Sequence, residues 1–438
     1  MLSNKINNSI DDSKNNCNVQ SDQDYSAKLP PEILLHIFKF LSRHDLQSSV
    51  AMVNRRWHQL GRDSSLLKVL KLSKRTPQAV IKTYIQQRPL LRVLKARALE
   101  FINETIETIV KECPFLVCLD VGFCNLLDEA IFMICHYGRN LKHINLEGVE
   151  IDHEMVDLLC TYLPRFEILN LSHCENLNDR TMESVSKNLN KLLKINIDGI
   201  QNISDYGIAT ICLHHFKFLT SIWIDGCELT ELGIQALTKC INLSYLSVSY
   251  ADTFTDSVVF PIRSLSNLRY LTIHKATELS KTALMDLFNK PDSQLTKLIS
   301  LDLNECSIID DEILNCILEL CGKNLRILSL NWCWNITDGG INNLVLIAIN
   351  MERLSLIGNH LIKGTAFEGL TGHWLNLRLL NLTNCNQIDD ELLKRVARQM
   401  PETYIFDYFG ERFSDVDDNV TQYDVSRALE IMPICDHL

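Results

Sequence analysis

Positive charge is in deficit in this 438-residue chain: 43 Lys and Arg stand against 54 Asp and Glu, a formal net charge of −11. Gripping a nucleic-acid backbone rests on clustered cations, so the balance argues against nucleic acid as the main partner. Long hydrophobic runs are missing too. The longest, Leu344 to Ile349, falls far short of the ~20 apolar residues that cross a bilayer, so no transmembrane segment is expected. The first residues hold no apolar signal core, which predicts a chain kept in the reducing cytoplasm or nucleus, its 16 Cys unpaired and the sequons at Asn202 and Asn335 unmodified.

Catalytic and cofactor signatures are also lacking. There is no Gly-x-Gly-x-x-Gly, no Walker loop and no His-Glu-x-x-His, which removes the common phosphate cradles and the helical zinc pair. Only Cys113-x4-Cys118 and Cys316-x4-Cys321 approach zinc spacing, each without a second pair. His214 and His215 are adjacent and point to different sides. No metal, no cofactor and no catalytic residue is expected. Cys435 stands where a prenylated cysteine would, but Asp436 and His437 replace the aliphatic residues of that box, which argues against prenylation.

What the chain does have is a repeat. Apolar residues recur at relative positions 1, 4 and 6, often with Cys at position 9, with a period of about 26 residues. Phe166, Leu169, Leu171 and Cys174 form one copy; Leu325, Leu328, Leu330 and Cys333 form another. First positions fall at Leu116, Leu141, Phe166, Leu192, Leu219, Leu243, Leu268, Leu298, Leu325, Met351 and Leu377, with weaker copies from Leu67, Leu91 and Thr403. Alternation at positions 4 to 6 predicts a short strand. Thr337-Asp338, Ser204-Asp205, Thr255-Asp256, Asn178-Asp179 and Asp389-Asp390 predict helix starts, since their side chains accept from the free N–H groups of a first turn. One strand-helix unit cannot bury its own apolar face, so the units stack into an α/β solenoid, a horseshoe with parallel strands on the concave face and helices on the convex face. The position-9 cysteines read as small packing groups that donate weakly to backbone. This cysteine-bearing form resembles the leucine-rich repeats of F-box proteins.

Before the repeats, Ile33, Leu34, Ile37, Phe38 and Leu41 make the stripe of an amphipathic helix opened by Pro31. A second helix is predicted from Asp45 and a third around Val53, Trp57 and Leu60. The segment Leu29-Pro30-x-Glu32-Ile33, followed by Ile37-Phe38-x-x-Leu41, Asp45-Leu46 and Val53-Asn54-Arg55-Arg56-Trp57, resembles an F-box; Asn54 departs from the usual Cys. The resemblance implies binding to the adaptor subunit of an SCF-type cullin ubiquitin ligase, and through it to cullin, by Leu29, Pro30, Ile33, Ile37, Phe38, Leu41, Leu46, Val53 and Trp57. It makes the chain a non-catalytic substrate receptor. The alternative is a scaffold or inhibitor whose first helices merely cap the solenoid. The expected organisation is a disordered tail over 1–28, rich in Asn, Ser and Asp, an F-box over 29–62, repeats over 63–410 and an acidic tail over 411–438, with a short helix from Val425 to Met432.

Positions 3, 5 and 7 of each strand face outward. They change from Lys71, Lys95 and Arg97 in early repeats to Asp120, Glu147, Asp198, Asp225 and Asp302 later. Aromatics are only 7% of the chain, yet Trp223, Tyr245 and Tyr270 fall at outward positions on three consecutive strands, with Tyr250, His274 and Trp332 near the same rim. Such rings suit a protein interface. With Asp198 and Asp225 beside them, they predict a site for a protein segment presenting a basic and an apolar side chain. The alternative is that the rings pack on one another or under the C-terminal tail.

Overall fold

The computed structural model describes residues 25–41, 45–100, 102–289 and 292–413. Most of the expected N-terminal tail, the acidic tail from 414, its predicted helix and Cys435 lie outside the described residues. The chain divides into two compact units, 1–67 and 68–438.

In the first unit a 3-10 turn, Tyr25–Lys28, leads into the helix Pro31–Phe38. A π-helical turn, Leu46–Val50, runs on through Ala51–Val53, and a last helix spans Arg55–Leu60. Asn54 caps that helix, its Oδ1 accepting from Trp57 N–H at 2.8 Å, so where the F-box pattern it resembles has Cys, this chain has a strong capping residue. The packed segment reaches back before Leu29, because Ser26 Oγ accepts from Trp57 Nε1 at 3.0 Å and its carbonyl from Arg56 at 3.1 Å. The core is small: Leu34, Phe38, Leu46 and Val50, with Trp57, Leu60 and Leu66 packed against it.

The second unit is a solenoid with one continuous sheet. Its strands are β1 (Val69–Lys71), β2 (Val93–Lys95), β3 (Cys118–Asp120), β4 (His143–Asn145), β5 (Ile168–Asn170), β6 (Lys194–Ile197), β7 (Ser221–Asp225), β8 (Tyr245–Ser249), β9 (Tyr270–Ile273), β10 (Ser300–Asp302), β11 (Ile327–Ser329), β12 (Arg353–Ser355), β13 (Leu379–Asn381), β14 (Tyr404–Phe406) and β15 (Arg412–Phe413). They lie in sequence order. Position 4 of each repeat pairs with position 4 of the next, as in Leu169↔Ile195, Ile222↔Leu246 and Leu328↔Leu354. The Thr403 copy begins one residue earlier than its sequence pattern indicates, since Leu380 pairs with Ile405. β15 turns back antiparallel on β14 and covers a strand edge that would otherwise offer free backbone groups.

Two features tie neighbouring repeats together. Cys124, Cys174, Cys333 and Cys385 donate to the carbonyls of Ala96, Leu146, Leu303 and Leu356 in the preceding repeat, at 3.0 to 3.3 Å. Where Asn359 takes that place, its amide reaches Leu330 O and Leu356 O, both at 2.8 Å. Burial pushes the thiols up, to about 12 for Cys174 and about 11 for Cys385, so they stay protonated packing groups.

The helix-start pairs divide the work between two residues. Ser204, Asn178, Thr337 and Asp389 accept from their own helices as expected. Thr255 makes no such bond, because its helix opens as a 3-10 turn, Asp256–Val258. In four of these pairs the Asp instead reaches the following repeat: Asp179 takes Ser204 N–H and Oγ–H, Asp205 takes Thr230 N–H and Oγ–H with Gly233 N–H, Asp256 takes Ser280 N–H and Oγ–H, and Asp338 takes Lys363 N–H and Gly364 N–H.

Candidate functional site

Position 5 carries an Asx turn in several strands, although β6 runs on to Ile197 despite the one at Asn196. Asp120, Asn145, Asn170, Asp302 and Asn381 fold back to accept the N–H two residues on, an Asx turn that ends the ladder after three residues. Trp223 and Ser247 occupy that position in β7 and β8, make no such turn, and the ladder continues through Asp225↔Ser249. The longest strands are therefore those that carry the aromatic side chains.

Trp223 and Tyr245 lie with ring centroids 4.4 Å apart, tilted by 35°, and Tyr245 and Tyr270 stack at 5.5 Å and 23°. The row is real, but its middle is not open. Tyr245 is buried between its neighbours, and that burial raises its phenol pKa; Trp223 and Tyr270 are half-buried. Tyr245 is thus corrected from a contact residue to the element that spaces the other two rings. Asp225 is likewise buried rather than displayed.

Tyr250 and Trp332 are exposed on the rim, both in the left-handed backbone region, and neither touches the aromatic row through a ring contact. Lys275 lies over Tyr250, its Nζ 4.6 Å from the centroid. Trp332 covers Gly358, where a Cβ would stand 2.2 Å from the indole and φ is +75°, so only glycine fits beneath it. His274 Nε2 is 3.0 Å from Asp302 Oδ1. Burial works against its charged form, but the contact with Asp302 and the charges of Asp302, Glu305 and Asp198 outweigh it and raise the pKa. At the basic end Arg97 is taken up by Glu147 at 3.0 Å and Asp120 at 3.7 Å, so the sign change along the face is bridged by an ion-pair cluster.

In the first unit Leu29, Pro30, Ile33, Ile37, Leu41 and Val53 are exposed. Phe38 and Leu46 are not: both belong to the buried core and are corrected from contact residues to supports. Trp57 is half-buried, packed edge-on to Phe38 at 5.0 Å. Phe40 and Met52, 80% and 82% exposed, join the apolar face unforeseen. Phe40 carried a signal, three residues after Ile37 on the same helical stripe.

Among the described residues no cluster of three or more His, Cys, Asp or Glu could hold a metal ion, and no helix is long and apolar enough to cross a membrane. The arrangement offers two surfaces for protein contact: an apolar face on the first unit and an aromatic and acidic strand face on the second.

Residues 26–72 match the F-box-like family model, and residues 323–345 match a leucine-rich repeat. Among curated relatives, the antagonist of mitotic exit network protein 1 of Candida glabrata is 25% identical over 28% of this chain and 25% of its own length. The F-box/LRR-repeat protein 12 of Arabidopsis thaliana is 25% identical over 34% of this chain and 39% of its own. The chain thus covers well under half of these relatives. In fold it is similar to the yeast Rad7 and Elc1 complex structure, with TM-score 0.62 and 16% identity over 87% of this chain and 93% of that one. The chain has the F-box/leucine-rich-repeat organisation.

Proposed function

We propose that this protein is the substrate receptor of an SCF-type cullin ubiquitin ligase, working in the cytoplasm or nucleus. The first unit binds the adaptor and, through it, cullin; the strand face of the solenoid holds a target protein. The reading rests above all on the F-box-like segment's apolar surface: it buries four side chains in its own core while Leu29, Ile33, Ile37, Phe40, Leu41, Met52 and Val53 face outward. So many exposed large apolar side chains on so small a unit mark a protein-binding surface. The receptor itself does no chemistry. Its contribution is to tether, which raises the effective concentration of target lysines at the ubiquitin-carrying enzyme.

Affinity capture with mass spectrometry, wild type beside a Leu29→Ala, Pro30→Ala double variant, tests this. Adaptor and cullin should be present with wild type and lost with the variant, while proteins held by the solenoid remain with both. Absence of adaptor and cullin from both samples would leave a leucine-rich-repeat scaffold as the better reading.

A further inference from the structure

The position-7 side chains of β6 to β9 form a row across the strand face: Asp198, Asp225, Ser249 and His274. Ser249 Oγ donates to Asp198 Oδ1, a bond that spans β7 and the Asp225 it carries. Asp225 is 5% exposed. Its Oδ1 accepts Cys227 N–H at 2.9 Å, and its Oδ2 is buried without a nitrogen or oxygen donor, the Cys227 thiol beside it being a weak one whose pKa Asp225 helps to raise. Neither Asp198 nor Asp225 is in an ion pair among the described residues, and the nearby His274 approaches Asp302 at 3.0 Å without hydrogen-bond geometry. The two carboxylates sit at the same position of neighbouring strands about 4.8 Å apart, and His274, which can carry positive charge, acts on Asp198 only through its field. A buried carboxylate oxygen left unpaired is costly, and the cost is relieved when a donor arrives from outside.

Building on the reading of the strand face as the target-binding face, we propose that this row is a recognition slot for an arginine side chain of the target protein. A guanidinium is flat and presents its donors in a fork; as the Ser249 hydroxyl turns from Asp198 to its second acceptor, Ile224 O, the fork reaches the Asp225 oxygen and bridges it to Asp198. Its plane then lies against Trp223, two residues before Asp225 on the same strand and face, which is propped by Tyr245 at 4.4 Å. Lysine brings a point charge that meets one carboxylate well and stacks poorly. The slot thus selects a basic residue by shape as well as by charge.

The test uses the full-length, isotope-labelled protein and follows the Trp223 indole N–H resonance, assigned by its loss in Trp223→Phe. Titration with acetyl-arginine amide should give a saturable shift. Acetyl-citrulline amide, the neutral isostere, should bind at least about tenfold more weakly, and Asp225→Asn should weaken arginine binding by a similar factor, since a charge-assisted pair is lost. Asparagine keeps the acceptor for Cys227 N–H, so this variant should fold with a thermal midpoint no lower than wild type; Asp198→Asn gives the same reading should it not. No saturable shift with arginine, undiminished binding by both Asn variants, or equal binding of the citrulline or lysine amide would each overturn the slot. Adaptor capture by Asp225→Asn is expected to be unchanged. Failure of adaptor capture in wild type would sink the ligase reading alone.

Discussion

His215 ends the helix Asp205–His215, buried to 1% exposure with neither ring nitrogen in good hydrogen-bond geometry, a weak contact to the Val185 backbone offsetting burial only in part. Burial, helped by the charge of His214, pushes its pKa down to about 4, against roughly 6.5 in an unfolded chain. Between those values the unfolded state binds the proton and the folded state does not. The contribution is therefore intact above pH 6.5 and is lost as pH falls toward 4, by about 3 kcal/mol in all. His274 has the opposite sign: its raised pKa gives stability present below about pH 6.5 and lost as pH rises through its folded value. His215→Leu should remove the part of the acid sensitivity that His215 carries, so urea titrations should show the variant gaining about 2 kcal/mol on wild type between pH 7 and pH 5. An unchanged difference between the two pH values would mean that His215 does not titrate with unfolding. From sequence His214 and His215 were only a pair to set aside. The structure separates them by which side of one helix each takes, and that follows from the register of the helix against its neighbours.

Along an element, what periodicity reveals is where a side chain sits in the repeat; how long the element lasts depends on competing local bonds. The period of about 26 residues fixed the strands, the position-9 cysteines and the alignment of Trp223, Tyr245 and Tyr270. It was silent on the Asx turns that end five of the strands after three residues and on the 3-10 turn Thr365–Gly372, where Gly364, Gly369 and Gly372 weaken an α-helix. Burial of Asp225 and Tyr245 was hidden for a related reason: an outward position on a strand is covered when its neighbours lean over it. In the helix Pro31–Phe38 the apolar stripe was wide enough to serve two faces. Leu34 and Phe38 turn inward, Ile33 and Ile37 outward, and spacing alone cannot say which pair forms the core. The Asx-turn rule has a direct check. Asn170 Oδ1 accepts both Ser172 N–H at 3.0 Å and Ser172 Oγ–H at 2.8 Å in a buried site. Asn170→Ala should cost about 1–3 kcal/mol and speed hydrogen exchange at the Ser172 amide, whereas Asn170→Asp, which keeps the acceptor, should protect that amide as wild type does.

At the scale of the whole molecule, the two units are held by different amounts of core. The solenoid's buried cluster runs without a break from Leu70 to Ile405, each repeat covered by its neighbours, and such arrays gain stability from every interface they add. The first unit has four fully packed apolar side chains and more large apolar groups outside than in. A domain of that size is marginal by itself, so local opening there should require far less free energy than opening the solenoid. Hydrogen exchange on the full-length protein should therefore show amides of Pro31–Phe38 and Arg55–Leu60 exchanging well before those of β7 and β8. Purified SCF adaptor, binding only the folded form of the unit, should slow them in proportion to its excess over the dissociation constant, by about a hundredfold in rate at one hundred times that constant. Phe38→Ala should act through folding, erasing both the residual protection and adaptor capture while leaving the solenoid's exchange unchanged. Ile37→Glu, on the outward side of the same helix, should erase capture and leave protection of the free unit as it is. If adaptor gave no slowing in wild type, the exposed apolar face would need another occupant; if Ile37→Glu lost protection as Phe38→Ala does, the division of that helix into a core side and a contact side would be wrong.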